Sequence, residues 1–169
     1  MKKQTIYLLI FCCVFAIASS AIAQTKFSGT VECGTADSTY MIQIPEQEGS
    51  SFAVTMGKCT WTKSFAIVGI ESTNNEQINF TETTGTSVQV ISYGVTYYKN
   101  GDKTTYKGTG TVDPKTMIFT GKWIYVGGTG KFQGIKGGGT SSSKMKSAEL
   151  GAASTVEVNG EYTLPATKK

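Results

Sequence analysis

Residues 125–140 read Tyr-Val-Gly-Gly-Thr-Gly-Lys-Phe-Gln-Gly-Ile-Lys-Gly-Gly-Gly-Thr, seven glycines in sixteen positions with Phe132 and Ile135 set among them. The run follows directly on the strand-like stretch Thr116 to Val126, TMIFTGKWIYV. The chain therefore has to leave a strand and turn sharply at Gly127, Gly128 and Gly130, with a left-handed backbone at one or more of them, a conformation glycine adopts without penalty. Phe132 and Ile135 are expected to plug the rim of a barrel or sandwich. Gly134 and Gly137 to Gly139 then let one backbone approach another closely.

Working outward from that stretch, period-two alternation and short β-rich runs broken by Gly, Asn, Asp and Pro recur down the chain, and no window of a dozen residues carries an i, i+3, i+4 apolar stripe. The class is all-β. Strands are expected near 26–33, 39–44, 51–61, 65–72, 77–84, 87–98, 103–112, 116–126, 140–146 and 155–164. Asn100-Gly101 favours a type I′ hairpin, and Pro114 presets φ for a tight turn after Asp113. In the strand between those turns, Thr104, Tyr106, Gly108, Gly110 and Val112 share one face, while Lys103, Thr105, Lys107, Thr109 and Thr111 make a polar, solvent face. Inward glycines leave room for large neighbours such as Phe119, Trp123 and Tyr125, which points to closure into a barrel. The polar segments 45–50 and 141–154 read as loose.

The segment Gly127-Gly128-Thr129-Gly130-Lys131-Phe132-Gln133-Gly134-Ile135-Lys136-Gly137 resembles the GGTG-aromatic-xxxxG signature of the superfamily that includes plant allene oxide cyclases and dirigent proteins. The resemblance implies a small closed antiparallel β-barrel of about eight strands, calycin-like, with an apolar cavity. It also implies self-association, since the related barrels often form trimers or dimers. It covers the glycine-rich turn and the preceding strand pair, some 40 residues. No catalytic residue carries over, and dirigent pockets use acidic and arginine residues where this chain has no arginine.

At the N-terminus Lys2 and Lys3 precede the apolar run Ile6 to Ile17, and Ala21-Ile22-Ala23 provides small residues for cleavage before Gln24. This is the pattern of a secretory signal peptide, and the run is shorter than the roughly 20 residues of a membrane span. The expected organisation is a signal peptide over 1–23 and one barrel domain over 24–169, exported to the periplasm or the medium, without stable membrane insertion. Removing Lys2 and Lys3 lowers the formal charge from +4 to +2, with 14 lysines against 12 carboxylates. With scattered lysines and no arginine fork to read phosphate or guanine, nucleic acid is not an expected partner. Cys33 and Cys59 remain after processing. In an exported chain they form one disulfide or two buried thiols.

The chain contains no histidine, so Ser-His-Asp and Cys-His machinery and histidine metal sites cannot be built, and no metal or cofactor is expected. Carboxylates are the remaining acid–base groups. Glu71 ends an apolar strand and Glu82 shares a face with Ile78 and Phe80, so either is a candidate to point into the interior with a raised pKa. Tyr93, Tyr97, Tyr106, Phe119, Trp123 and Tyr125 lie on the central strands and are expected either to line a pocket for a small apolar or aromatic molecule or to fill the barrel. The leading reading is a secreted, non-catalytic, calycin-like barrel that binds such a molecule or plays a structural role. The alternative is a cofactor-free isomerase or cyclase working through shape and a lone carboxylate.

Overall fold

A computed structural model describes residues 24–166; the expected signal peptide, 1–23, lies outside the described residues. Ten strands follow in order: β1 Thr25–Cys33, β2 Ser38–Gln43, β3 Ser51–Lys63, β4 Ala66–Ile67, β5 Ile70–Thr84, β6 Ser87–Tyr98, β7 Lys103–Asp113, β8 Ile118–Gly128, β9 Lys136–Met145 and β10 Ser154–Thr163, with one 3-10 turn at Gly130–Phe132. All neighbouring pairs are antiparallel. The order β3-β1-β10-β9-β8-β7-β6-β5 closes through β3–β5 pairing, giving an eight-stranded barrel with β2 and β4 as attached pieces. Antiparallel closure removes the open edges that an isolated sheet would present.

β1 and β2 are two parts of one long interrupted strand. Both pair with β3, Cys33 opposite Cys59 and Ser38 opposite Met56, with residues 34–37 bulging between them. The expected single strand 65–72 is divided by a two-residue hairpin at Val68 and Gly69, both with positive φ, and the Tyr162 hydroxyl accepts from the Val68 N–H at 3.0 Å. The second part runs straight on into the expected strand 77–84, so the two make one continuous β5. The turn at Asn100-Gly101 also differs from expectation. Only Gly101 is left-handed, and Tyr98 pairs with Asp102 across a three-residue loop, because a type I′ turn would need Asn100 left-handed as well. The glycine-rich stretch after β8 holds positive φ at Gly130, whereas Gly127 and Gly128 remain in the strand. At Gly128 the requirement is space: a Cβ there would collide with the Phe132 carbonyl.

Phe132 and Ile135 are buried, as their place among the glycines suggests. With Phe65, Ile67, Tyr98 and Tyr162 they form an apolar floor at one end of the barrel, against which Phe27, Trp61, Tyr125 and Leu164 pack. Tyr98 and Phe132 rings lie 4.4 Å apart, and Phe27 stacks on Phe65 at 4.2 Å. Each such aromatic contributes about 1.5–3 kcal/mol of burial. The glycine–aromatic packing expected of a closing barrel is present: Tyr106 lies over Gly94, Phe119 over Gly110 and Gly121, and Trp123 over Gly160. Cys33 and Cys59 are joined by a disulfide that staples β1 to β3, with Cα atoms 4.1 Å apart.

Candidate functional site

The barrel is hollow above its floor. A cavity of about 510 Å³ runs up the axis to a mouth edged by Met41, Pro114, Met117, Met145 and Leu150. This volume falls within the range of small-molecule sites. Of the segment expected to be loose at 141–154, residues 141–145 belong to β9 and Ser154 opens β10. The remainder bends over the mouth, where the Ala36 N–H donates to the Gly151 carbonyl at 2.8 Å.

Two unlike walls face each other across this space. Phe27, Phe119, Trp123, Tyr125, Val156 and Val158, from β1, β8 and β10, make an aromatic and aliphatic side. Opposite them, β5 projects Asn75, Gln77, Asn79, Thr81 and Thr83 inward at every second residue. Their polar atoms are held by neighbours. Asn75 Nδ2 donates to the Tyr106 hydroxyl at 3.1 Å, which donates to Gln77 Oε1 at 3.2 Å, while Thr96 Oγ1 donates to Asn75 Oδ1 at 3.3 Å. Higher up, Ser92 Oγ donates to Asn79 Oδ1 at 2.7 Å and Asn79 Nδ2 donates to Thr55 Oγ1 at 3.4 Å. These bonds fix the amide orientations, and the Gln77 NH₂ has no protein acceptor among the described residues. The buried Trp61 indole N–H and Tyr125 hydroxyl are likewise without a hydrogen-bond partner among the described residues. Charge is confined to the boundary, where Lys122 and Glu149 are both exposed.

Burial pushes the Tyr106 phenol up to about 12, with the Asn75 bond acting in the opposite sense. Tyr98 and Tyr125 are raised further, chiefly by desolvation. These phenols are therefore neutral hydrogen-bonding groups at ordinary pH.

Of the residues singled out from the sequence, Tyr106, Phe119, Trp123 and Tyr125 line the cavity. Tyr93 and Tyr97 do not. They lie on the outer face of β6, where Lys107 sits over the Tyr93 ring and the Tyr97 hydroxyl donates to Glu76 at 2.9 Å. Glu71 and Glu82 also fall outside the cavity: both are exposed, and Glu71 pairs with Lys99. The reason is register. Cys59 faces inward to reach Cys33, and Cys59 pairs with Asn75, so Asn75, Gln77 and Asn79 take the inner face of β5 while Ile78, Phe80 and Glu82 take the outer one. The amide row was missed because polar residues on alternate positions read as a solvent face; its signal was the pairing to an inward cysteine.

Closed eight-stranded barrels with an axial cavity of this kind form a recognisable class, and dirigent proteins share this architecture. A pterocarpan synthase dirigent protein superimposes with a TM-score of 0.50 at 12% identity, over 85% of this chain and 89% of its own. A second pterocarpan synthase dirigent protein gives 0.52 at 13%, over 83% and 95%. A conserved protein of unknown function from Rhodopseudomonas palustris gives 0.50 at 8%, over 83% and 98%. No family model and no curated protein matches the sequence. At these identities the likeness concerns the fold, a dirigent-like barrel, and it agrees with the family that the glycine-rich signature resembles.

Proposed function

We propose that this chain is an exported, non-catalytic barrel that holds one small, uncharged, mainly apolar molecule in its axial cavity. The observation that carries the reading is the two-sided, charge-free interior: an aromatic wall facing a row of fixed amides and hydroxyls. Apolar surface supplies affinity, and a few placed polar groups set orientation. A carboxylate or phosphate drawn into this space would lose its hydration with no cation to replace it. The disulfide suits an oxidising compartment, in line with the signal-peptide pattern.

The cyclase alternative requires an acid–base group at the reacting atoms. Among the residues bordering the cavity the carboxylate is Glu149, exposed at the mouth. A neutral fluorescent apolar dye at micromolar concentration tests the proposal. Saturable enhancement with one site per chain is expected, weakened about tenfold by Trp123→Leu and unchanged by Glu71→Gln or Glu82→Gln. Absence of binding by the folded wild type overturns it. Turnover of an unsaturated epoxide, lost in Glu149→Gln with dye binding intact, would favour the cyclase.

A further inference from the structure

Every amide oxygen on the inner face of β5 is already in use. Asn75 Oδ1 accepts from Thr96 Oγ1 at 3.3 Å, Gln77 Oε1 from the Tyr106 hydroxyl at 3.2 Å and Asn79 Oδ1 from Ser92 Oγ at 2.7 Å. The hydrogen bonds run in one sense, from hydroxyls on β6 and β7 into the amides of β5. Hydroxyls such as that of Thr81 turn to donate or to accept, whereas an amide NH₂ donates only. What the row still offers the cavity with a fixed polarity is therefore N–H.

Gln77 is where that surplus is open to a guest. Its cross-strand neighbour on β3 is Gly57, so no side chain covers it from that side, and a Cβ at Gly57 would meet only the Ala36 Cα, at 3.7 Å. Two residues along β3, Thr55 accepts from Asn79 Nδ2 and keeps its own proton to give. The relay from Asn75 Nδ2 through the Tyr106 hydroxyl to Gln77 Oε1 polarises the Gln77 amide, which strengthens its NH₂ as a donor. At the base of the cavity Trp61 repeats the same polarity. Its benzo edge lies on Gly29, which turns the N–H edge away from β1, and that buried N–H has no acceptor among the described residues.

We propose that the guest is a carbonyl compound without hydrogen-bond donors, a ketone, ester or lactone, whose oxygen is held by the Gln77 NH₂ in the niche beside Gly57 while its apolar body lies against Trp123. The inference rests on the reading of the cavity as a binding site. An alcohol or phenol of the same shape is disfavoured, because its proton would enter a wall whose amide acceptors are taken. A carbonyl oxygen exchanges water for a waiting donor.

Displacement of the neutral dye by 2-acetylnaphthalene, 2-isopropylnaphthalene and 1-(2-naphthyl)ethanol, molecules of nearly one shape, reads the polarity of the site. Gln77→Leu is expected to weaken the ketone about tenfold, since it leaves a buried carbonyl unpaired, and to spare or improve the hydrocarbon. The alcohol should bind the wild type more weakly than the ketone does. Circular dichroism shows whether Gln77→Leu is folded, and a second measurement needs no variant: the carbonyl stretch of carbon-13-labelled ketone bound to the wild type should lie below its frequency in hexane. A ketone whose affinity follows the hydrocarbon's in Gln77→Leu, or a bound stretch at the hexane frequency, overturns the assignment while leaving the cavity a binding site. So does an alcohol that binds as tightly as the ketone, which would mean that Gln77 presents its oxygen. If neither the dye nor any of these probes binds, the reading of the cavity falls as well.

Discussion

Tyr106 lies over Gly94, so close that a Cβ at residue 94 would collide with the phenol ring and its hydroxyl. The absent side chain is what allows that hydroxyl to bridge Asn75 and Gln77. Gly94→Ala is therefore expected to cost about 1–3 kcal/mol by overpacking, measured by chemical denaturation. Gly94→Ala with Tyr106→Phe should recover little, because the ring still collides; Tyr106→Ala in the same background should relieve the clash. An unchanged stability for Gly94→Ala alone would mean that Tyr106 does not occupy this position.

Gly128 and Gly130 fail for different reasons when substituted. At Gly128 the obstacle is the Phe132 backbone, which cannot rotate away, so even alanine should destabilise by more than about 1 kcal/mol. At Gly130 the left-handed backbone and the Asp102 carboxylate both oppose a side chain. Valine should be worse than alanine at either site, being β-branched in a conformation or a space that excludes it. Wild-type melting temperatures for both valine variants would remove the turn geometry described for residues 128–132.

The buried phenols predict an alkaline limit to stability. An unfolded tyrosine ionises near 10, whereas Tyr106 in the folded chain is pushed up to about 12 by burial. Between these values the unfolded chain releases a proton that the folded chain keeps, so unfolding becomes more favourable as pH rises. The contribution is fully present below pH 10 and is lost as pH climbs through 12. Phenolate absorbance near 295 nm should show Tyr106, Tyr98 and Tyr125 ionising late or only with unfolding. Tyr106→Phe should remove part of the stability lost between pH 10 and 12; a single tyrosine step near 10 in the folded protein would contradict the buried cluster.

Breaking the Cys33–Cys59 bridge should cost about 3 kcal/mol, the loop-closure value for a separation of 26 residues. The unfolded, unreduced protein is expected to show no free thiol between residues 24 and 169. Titration of two thiols there would count against the staple. Cys33→Ala with Cys59→Ala should lower the denaturation midpoint while leaving one dye site per chain, since the bridge forms only a small part of the cavity wall.

Much of the barrel is written in local pattern. Alternation and turn residues locate the strands within a few positions, and the glycines of 125–140 announce the buried Phe132 and Ile135. Alternation is silent, however, about which face of β5 is inside, because Ile78 and Phe80 on one face compete with Asn75, Gln77 and Asn79 on the other. Hydrophobicity favours the wrong answer. The decision comes from pairing with β3, whose inward side is fixed by Cys59, a contact 16 residues away in sequence. The same ambiguity hides the outward placement of Tyr93 and Tyr97, since Ile91, Tyr93 and Val95 on the outside of β6 are as apolar as Val88 and Val90 within. The split at Val68-Gly69 was equally hidden, because a left-handed valine is an unfavourable choice that the Tyr162 hydroxyl supports from the far end of the chain.

The floor and the mouth of the barrel draw on different parts of the chain: Phe65, Ile67, Tyr98, Phe132, Ile135 and Tyr162 below, and residues around 41, 114–117 and 145–152 above. The stopper and the opening are thus at opposite ends of one cylinder. Under the proposed function, retargeting the barrel to a new guest is a matter of rewriting the collar of upper loops and the upper amide positions while the stopper beneath is left alone.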